Sequence, residues 1–142
     1  MQKEASKYVK LWKFYLLIAM AGSLGAVCRY AEGLLLQDIQ PAGFPAATFA
    51  CNIAGSLLLG YVLAKRSMTE GQQLFKEVVG TGFLGAFTTF SAFSVETVDL
   101  LNSGRTGIAL LYIISSLWLG YAAAFAGSKA GGAARSRKKE QL

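Results

Sequence analysis

The chain is predicted to be an all-helical integral membrane protein with four transmembrane helices, the third of them broken. Three observations predict this. Of its 142 residues, 54% are hydrophobic, more than a water-soluble surface of this size usually carries. Long uncharged stretches recur: Pro41 to Ala64, Val78 to Val95 and Thr106 to Ser128, with a fourth, Phe14 to Cys28, running past Arg29 and Glu32 to Leu36. A helix needs about 20 apolar residues to cross the hydrocarbon core, and these stretches are that long or nearly so. Finally, one of the four is crowded with glycine and hydroxyl residues where leucine and valine would be usual.

Taken in order, residues 1–13 form an amphipathic lead-in, with Tyr8, Val9, Leu11 and Trp12 among lysines, suited to the membrane interface. The first span covers about 12–36. It is too long for a secretory leader and lacks a clear small-residue cleavage site. Pro41 and Pro45 bracket a short loop, and proline is well placed to start the second span at about 45–64. Residues 65–76 are a polar loop, and the third span covers about 75–101. Leu101-Asn102-Ser103-Gly104-Arg105 reads as a turn before the fourth span at about 106–128. Residues 1–128 make one domain, and 129–142 a basic tail expected to be disordered.

The net charge of +6 marks topology rather than nucleic-acid binding. Lys3, Lys7, Lys10, Lys13, Lys65, Arg66, Lys76, Lys129, Arg135, Arg137, Lys138 and Lys139 fall on one side, which leaves Arg29 and Arg105 on the other. Lysine and arginine accumulate on cytoplasmic loops, so both termini are expected in the cytoplasm. The chain contains no histidine, which removes the commonest metal ligand and proton shuttle. Cys28 and Cys51 sit inside apolar stretches with no CxxC spacing and read as small core residues. No nucleophile–base pair and no phosphate loop is found, so an enzyme is not expected.

The richest stretch runs from Gly80 through Thr-Gly-Phe-Leu-Gly-Ala-Phe-Thr-Thr-Phe-Ser-Ala-Phe-Ser-Val to Glu96. One reading is a packing face whose hydroxyls bond back to their own helix. The other is a helix that opens at a site, glycine allowing close backbone approach and hydroxyls re-satisfying the freed backbone groups. The density of such residues favours the second. Thr48, Asn52, Gly55 and Ser56 lie near one face of the second span by the i, i+3, i+4 rule, as helix–helix glue or as site residues. The fourth span adds Tyr112, Ser115 and Ser116. No formal charge falls at the centre of any span, and neutral donors without carboxylates suit an anion better than a cation. Phe90 and Phe93 are either core or lipid-facing aromatics, or rings whose electropositive edges meet an anion. Arg29 either pairs with Glu32, snorkels to the headgroups, or focuses anions into a vestibule. Glu96 is a solvated interfacial charge or part of the pathway.

Gly22-Ser23-Leu24-Gly25-Ala26-Val27-Cys28-Arg29-Tyr30 resembles the G-x-x-G-A-x-x-R-Y element of the Fluc (CrcB-type) fluoride channels. Asn52-Ile53-Ala54-Gly55-Ser56 resembles that family's N-x-x-G-S/G. The third-span stretch Gly82 to Thr97 is similar to its G-F-x-G-G-x-T-T-F-S-T-F-S-x-E signature. The resemblance covers about residues 14 to 127. It implies a fluoride-selective channel of a bacterial inner membrane, built as an antiparallel, dual-topology dimer with two pores between the subunits. By position, Phe90 and Phe93 correspond to the pore phenylalanines and Asn52 to the second-span asparagine that bonds the pore aromatics or the ion. Thr48 corresponds to the hydroxyl one turn earlier, and Thr89, Ser91, Tyr112, Ser116 and Glu96 to the polar lining. Arg29 matches the vestibule arginine. The resemblance also implies a central structural sodium ion (Na+) on backbone carbonyls, which places it at Gly85 and Thr88.

Three departures stand out. Ala86 replaces the second glycine of the motif, Gly120 shortens the fourth-span polar track, and twelve basic residues against two is a strong bias for a dual-topology chain. The partner subunit is then a second copy that overrides the bias or an oppositely oriented homologue. Two further readings belong to other classes. A small proton-coupled multidrug exporter would need an embedded carboxylate, for which only Glu32 and Glu96, both near span ends, are available. A passive assembly factor leaves the third-span motif without a use.

Overall fold

The computed structural model describes residues 2–36, 39, 43–65 and 69–140, with side chains at 11–36, 39, 43–65 and 69–133. The described chain is all helical: α1 (Gln2–Leu36), α2 (Ala46–Ala64), α3 (Glu70–Glu77), a π-helix (Val78–Leu84), α4 (Gly85–Phe87), α5 (Phe90–Asn102) and α6 (Thr106–Glu140). Four stretches are long and apolar enough to cross a membrane: Leu11–Leu36, Ala46–Ala64, Glu70–Asn102 and Thr106–Ala133. The four-span expectation therefore holds.

Several boundaries differ from the sequence reading. Half of the expected polar loop is helix: α3 starts at Glu70, where the Thr69 side chain accepts from the Gln72 amide and caps the free N–H groups. The lead-in has no break before the first span, because α1 runs unbroken from Gln2. Its 35 residues, at about 1.5 Å each, make about 52 Å of helix against a hydrocarbon core of about 30 Å. The basic tail, expected to be disordered, continues α6 as helix to Glu140. Alanine, arginine and lysine are strong helix formers, and a helix already nucleated extends at little cost. The lead-in's Tyr8 and Val9, Pro41 of the first loop, Arg66 and the tail's basic side chains beyond Lys129 lie outside the residues described at that level.

Glycines decide how the spans pack. The longest interface is between α2 and α6, where Gly60 lies against the Ala124 carbonyl and Gly127 against that of Leu57. In apolar surroundings no hydrophobic force drives helices together, so such close approach, with its dispersion contacts, does so instead. α1 packs on the π-helix, with Gly25 against the Phe83 carbonyl and Gly82 against Ile18 and Ala21. The G-x-x-G element of the first span thus serves a backbone-to-backbone crossing. A wider π-turn spoils one α-helical bond register, and here Gly80 and Gly82 leave room for it. The small buried core, Leu100, Ala109 and Tyr112, is enclosed by Phe44, Phe49, Phe93 and Ile108. Most other large apolar side chains, Trp12, Leu117 and Trp118 among them, face outward, as lipid or another subunit requires.

Candidate ion-permeation site

The third span changes course at two residues. α4 ends at Phe87, Thr88 is extended at φ −80°, ψ 157°, and Thr89 at φ −147°, ψ 127°. Extended residues inside a span strand backbone groups that water cannot reach, each of which needs a partner. α2 supplies them. Asn52 Nδ2 donates to the Thr89 carbonyl at 2.9 Å, and Asn52 Oδ1 accepts from the Thr89 amide at 2.8 Å. One side chain thereby replaces the lost helical acceptor of the Thr89 amide and adds a donor to the carbonyl with which Thr89 opens α5. One residue earlier in α2, Cys51 Sγ donates to the Phe87 carbonyl at 2.9 Å, and Gly55 makes room for the Thr88 methyl group. Thr89 Oγ1 then caps α5 by accepting from the Ala92 amide at 3.1 Å, and lies 3.1 Å from Ser91 Oγ.

Those substitutions free other carbonyls. In a continuous helix the Thr89 amide would bond the Gly85 carbonyl, and the Ala92 amide that of Thr88. Both donors are diverted here, to Asn52 and to Thr89 Oγ1.

Two recesses flank this crossing. The larger, about 510 Å³, is an open groove whose lining includes Asn52, Ser56, Gly85, Thr88, Thr89, Phe90, Phe93 and Ser116. Among the described residues lining it none is charged. Phe90, 78% exposed, stands at its open side, and its ring centroid is 5.8 Å from that of Phe93. The smaller recess, about 270 Å³, reaches Thr48 and Glu96. Glu96 is held between two hydroxyls: Thr48 Oγ1 donates to Oε1 at 2.6 Å and Tyr112 OH to Oε2 at 2.8 Å. Such charge-assisted bonds are short and strong.

Tyr112 stands behind both recesses rather than in either. It is fully buried, packs its ring 4.9 Å from Phe93 and 5.3 Å from Phe44, and so ties the groove wall to Glu96. Removing only its hydroxyl tests that tie. Tyr112→Phe keeps the ring and leaves Glu96 Oε2 without its donor, a loss of about 1–3 kcal/mol. The unfolding midpoint in detergent should fall by about 4–12 °C; an unchanged midpoint would show the bond to be dispensable.

The structure thus brings Asn52, Thr88, Thr89, Phe90, Phe93, Gly85 and Ser116 to one groove, and Thr48 with Glu96 to the other recess. Ser91 is exposed beside the break. Arg29 lines neither recess, and one turn on, Glu32 Oε2 is buried without a hydrogen-bond partner, so that oxygen makes no bonded pair with Arg29. Several hydroxyls follow the packing-face reading: Ser56, Ser94 and Ser115 bond carbonyls of their own helices. Cys51 is a residue the sequence undervalued. Its place beside Asn52 and one turn before Gly55 was the available signal, since all three meet the same crossing.

Fold and site define a multi-pass helical membrane protein in which uncharged donors and aromatic rings share a groove at a mid-span crossing. Residues 16–128 match the family model described as CrcB-like protein, Camphor Resistance (CrcB), and the chain belongs to that family. The Fluoride-specific ion channel FluC of Thermus thermophilus is 45% identical over 122 residues, covering 84% of this chain and 95% of the relative. That of Deinococcus radiodurans is 46% identical over 114 residues, covering 80% and 90%. The Fluoride-specific ion channel FluC 2 of Bacillus thuringiensis is 44% identical over 117 residues, covering 82% and 96%.

Proposed function

We propose that this chain is a fluoride-selective channel that lets fluoride leave the cytoplasm passively and so lowers its toxicity. The observation that carries the reading is the uncharged groove where Asn52, Thr88, Thr89, Ser116 and the rings of Phe90 and Phe93 meet. Fluoride is small and strongly hydrated, so a pore must offer many donors in place of water without binding the ion tightly. Amide, hydroxyl and ring-edge groups do this where a lysine would trap it. Family membership and relatives named for fluoride support the choice of ion.

The groove is open along one side, with Phe90 turned outward. A second subunit closing that side would convert it to a pore, and we assign that role to a second copy in the opposite orientation rather than to a homologue. The break in the third span then faces its counterpart. A sodium ion between the two breaks would be held by the carbonyls of Gly85 and Thr88. Three points support the fit: both lose their helical donors, Gly85 is exposed, and no atom outside its own turn crowds its Cα. Backbone oxygens suit a hard monovalent cation, which would supply structural charge there. The bacterial inner membrane is the proposed location, with the termini cytoplasmic in the orientation the charge bias prefers and Arg29 at the vestibule.

Liposomes containing only this purified chain, loaded with potassium fluoride and made permeable to potassium, test the function and the self-partnership together. Fluoride efflux above protein-free vesicles, with chloride retained, is expected. An efflux no greater than that of empty vesicles would sink the proposal.

A further inference from the structure

The recess that reaches Glu96 has a charged mouth. Asp99, Ser103 and Arg105 line it on one side and Gly43 and Pro45 on the other, with Thr48 and Glu96 deeper in. Arg105 follows Gly104, a turn residue at φ +72°, and its amide is bonded to the Leu100 carbonyl at 2.9 Å, so the turn sets where its side chain begins. The guanidinium lies against Gly43, itself at φ +80°, where a Cβ would collide with Nη1. A glycine on the opposing loop thus leaves the room in which the guanidinium sits. Behind the recess Glu96, Tyr112 and Phe93 touch in turn, and Phe93 lines the groove on the far side.

The charge count at this mouth matters for an anion. Both oxygens of Glu96 are occupied by the hydroxyls of Thr48 and Tyr112, and Asp99 is exposed. Two carboxylates would repel fluoride from the recess, and Arg105 is the cation placed to offset them. Charges lining a cleft alter local ion concentration in proportion to the exponential of the potential, and salt erases the effect.

We propose that Arg105 and Asp99 are an opposed pair that sets the fluoride concentration at this end of the pathway, Arg105 raising it and Asp99 lowering it. Neither touches the groove, so they act on the rate of ion entry and leave discrimination against chloride alone. The proposal rests on the channel reading above.

Fluoride efflux from liposomes containing wild type, Arg105→Ala, Arg105→Lys and Asp99→Asn, at low and high salt, tests it. At about 10 mM ionic strength, where the Debye length is about 30 Å, Arg105→Ala should lower efflux about threefold and Asp99→Asn raise it about twofold. Arg105→Lys, which keeps the charge, should stay close to wild type. At about 1 M salt, where the Debye length is about 3 Å, all four should converge. A loss of packing would lower efflux in both charge-removing variants and persist at high salt. Equal efflux of all four at low salt, or changes of the same sign that salt does not erase, overturns the proposal. Absence of efflux from wild type would instead overturn the channel reading itself.

Discussion

Asn52→Ala is expected to reduce fluoride efflux from reconstituted liposomes by at least about tenfold while the protein still elutes as a single species. The substitution removes the donor to the Thr89 carbonyl and the acceptor for its amide at once. Thr89 is buried, so neither group recovers a water partner. The amide, left unsatisfied, costs about 1–3 kcal/mol, and the carbonyl, which keeps its partner within α5, loses one bond of about 0.5–1.5 kcal/mol more. The chain can relieve them only by closing the break toward regular helix, which rotates Phe90 and Phe93 out of the groove. At about 1.4 kcal/mol per factor of ten, even the lower ends of those two ranges together deplete the open arrangement about tenfold. Ser23→Ala, which removes a hydroxyl bonded only to the Ala19 carbonyl one turn back, should leave efflux near wild type. Efflux within about threefold of wild type in Asn52→Ala, well under one such factor of ten, would mean that the break is held by something other than this side chain.

The second large effect is on folding. Gly60→Val and Gly127→Val should each prevent accumulation of monodisperse protein, judged by size-exclusion chromatography in detergent. A Cβ at Gly60 would strike the carbonyl of Ala124, and one at Gly127 that of Leu57. Both obstacles are backbone, so no side-chain rotation relieves them, and the helices must separate along the longest interface of the fold. Overpacking against movable side chains already costs about 1–3 kcal/mol; against backbone the cost is larger. Gly107→Ala is the contrasting substitution. Nothing lies within 4 Å of its added Cβ, and alanine favours helix over glycine by about 1 kcal/mol, so its yield should match or exceed wild type. Normal elution of both valine variants would place the weight of the α2–α6 seam elsewhere.

The Asn52 prediction depends on a relationship between two spans that spacing along one helix does not reveal. Periodicity puts Thr48, Asn52, Gly55 and Ser56 on one face of α2, and the structure turns that face onto the third span. What each residue does there follows from its neighbour across the interface. Asn52 pairs with the Thr89 backbone, Thr48 bonds Glu96, Gly55 accepts the Thr88 methyl group, and Ser56 bonds back to its own helix. Four residues with the same sequence signal thus have four different fates. The Arg105–Gly43 contact was likewise invisible, because the two residues lie 62 positions apart on different loops.

The helical ends show the reverse limit. A run of alanine, glycine and basic residues after Ser128 has the composition of a disordered tail, yet α6 carries it as helix to Glu140. Composition describes a segment in isolation, whereas a helix nucleated in the membrane extends into whatever follows if propensity permits. The same continuity joins the amphipathic lead-in to the first span.

Hydropathy and charge placement by themselves determined the class and the four spans, and the motifs at residues 22–30, 52–56 and 82–97 carried the likeness to a channel family. Transfer of apolar side chains into lipid and exclusion of charge from it are properties of short contiguous segments, and they act before any helix meets another. The density of Gly, Thr and Ser also marked the third span as unusual. Only the tertiary structure decided which backbone groups are satisfied at Thr88 and Thr89, which carbonyls are left without helical donors, and how Glu96 is held. These are hydrogen bonds of about 3 Å between groups remote in sequence, and their formation depends on how closely glycines let the helices approach.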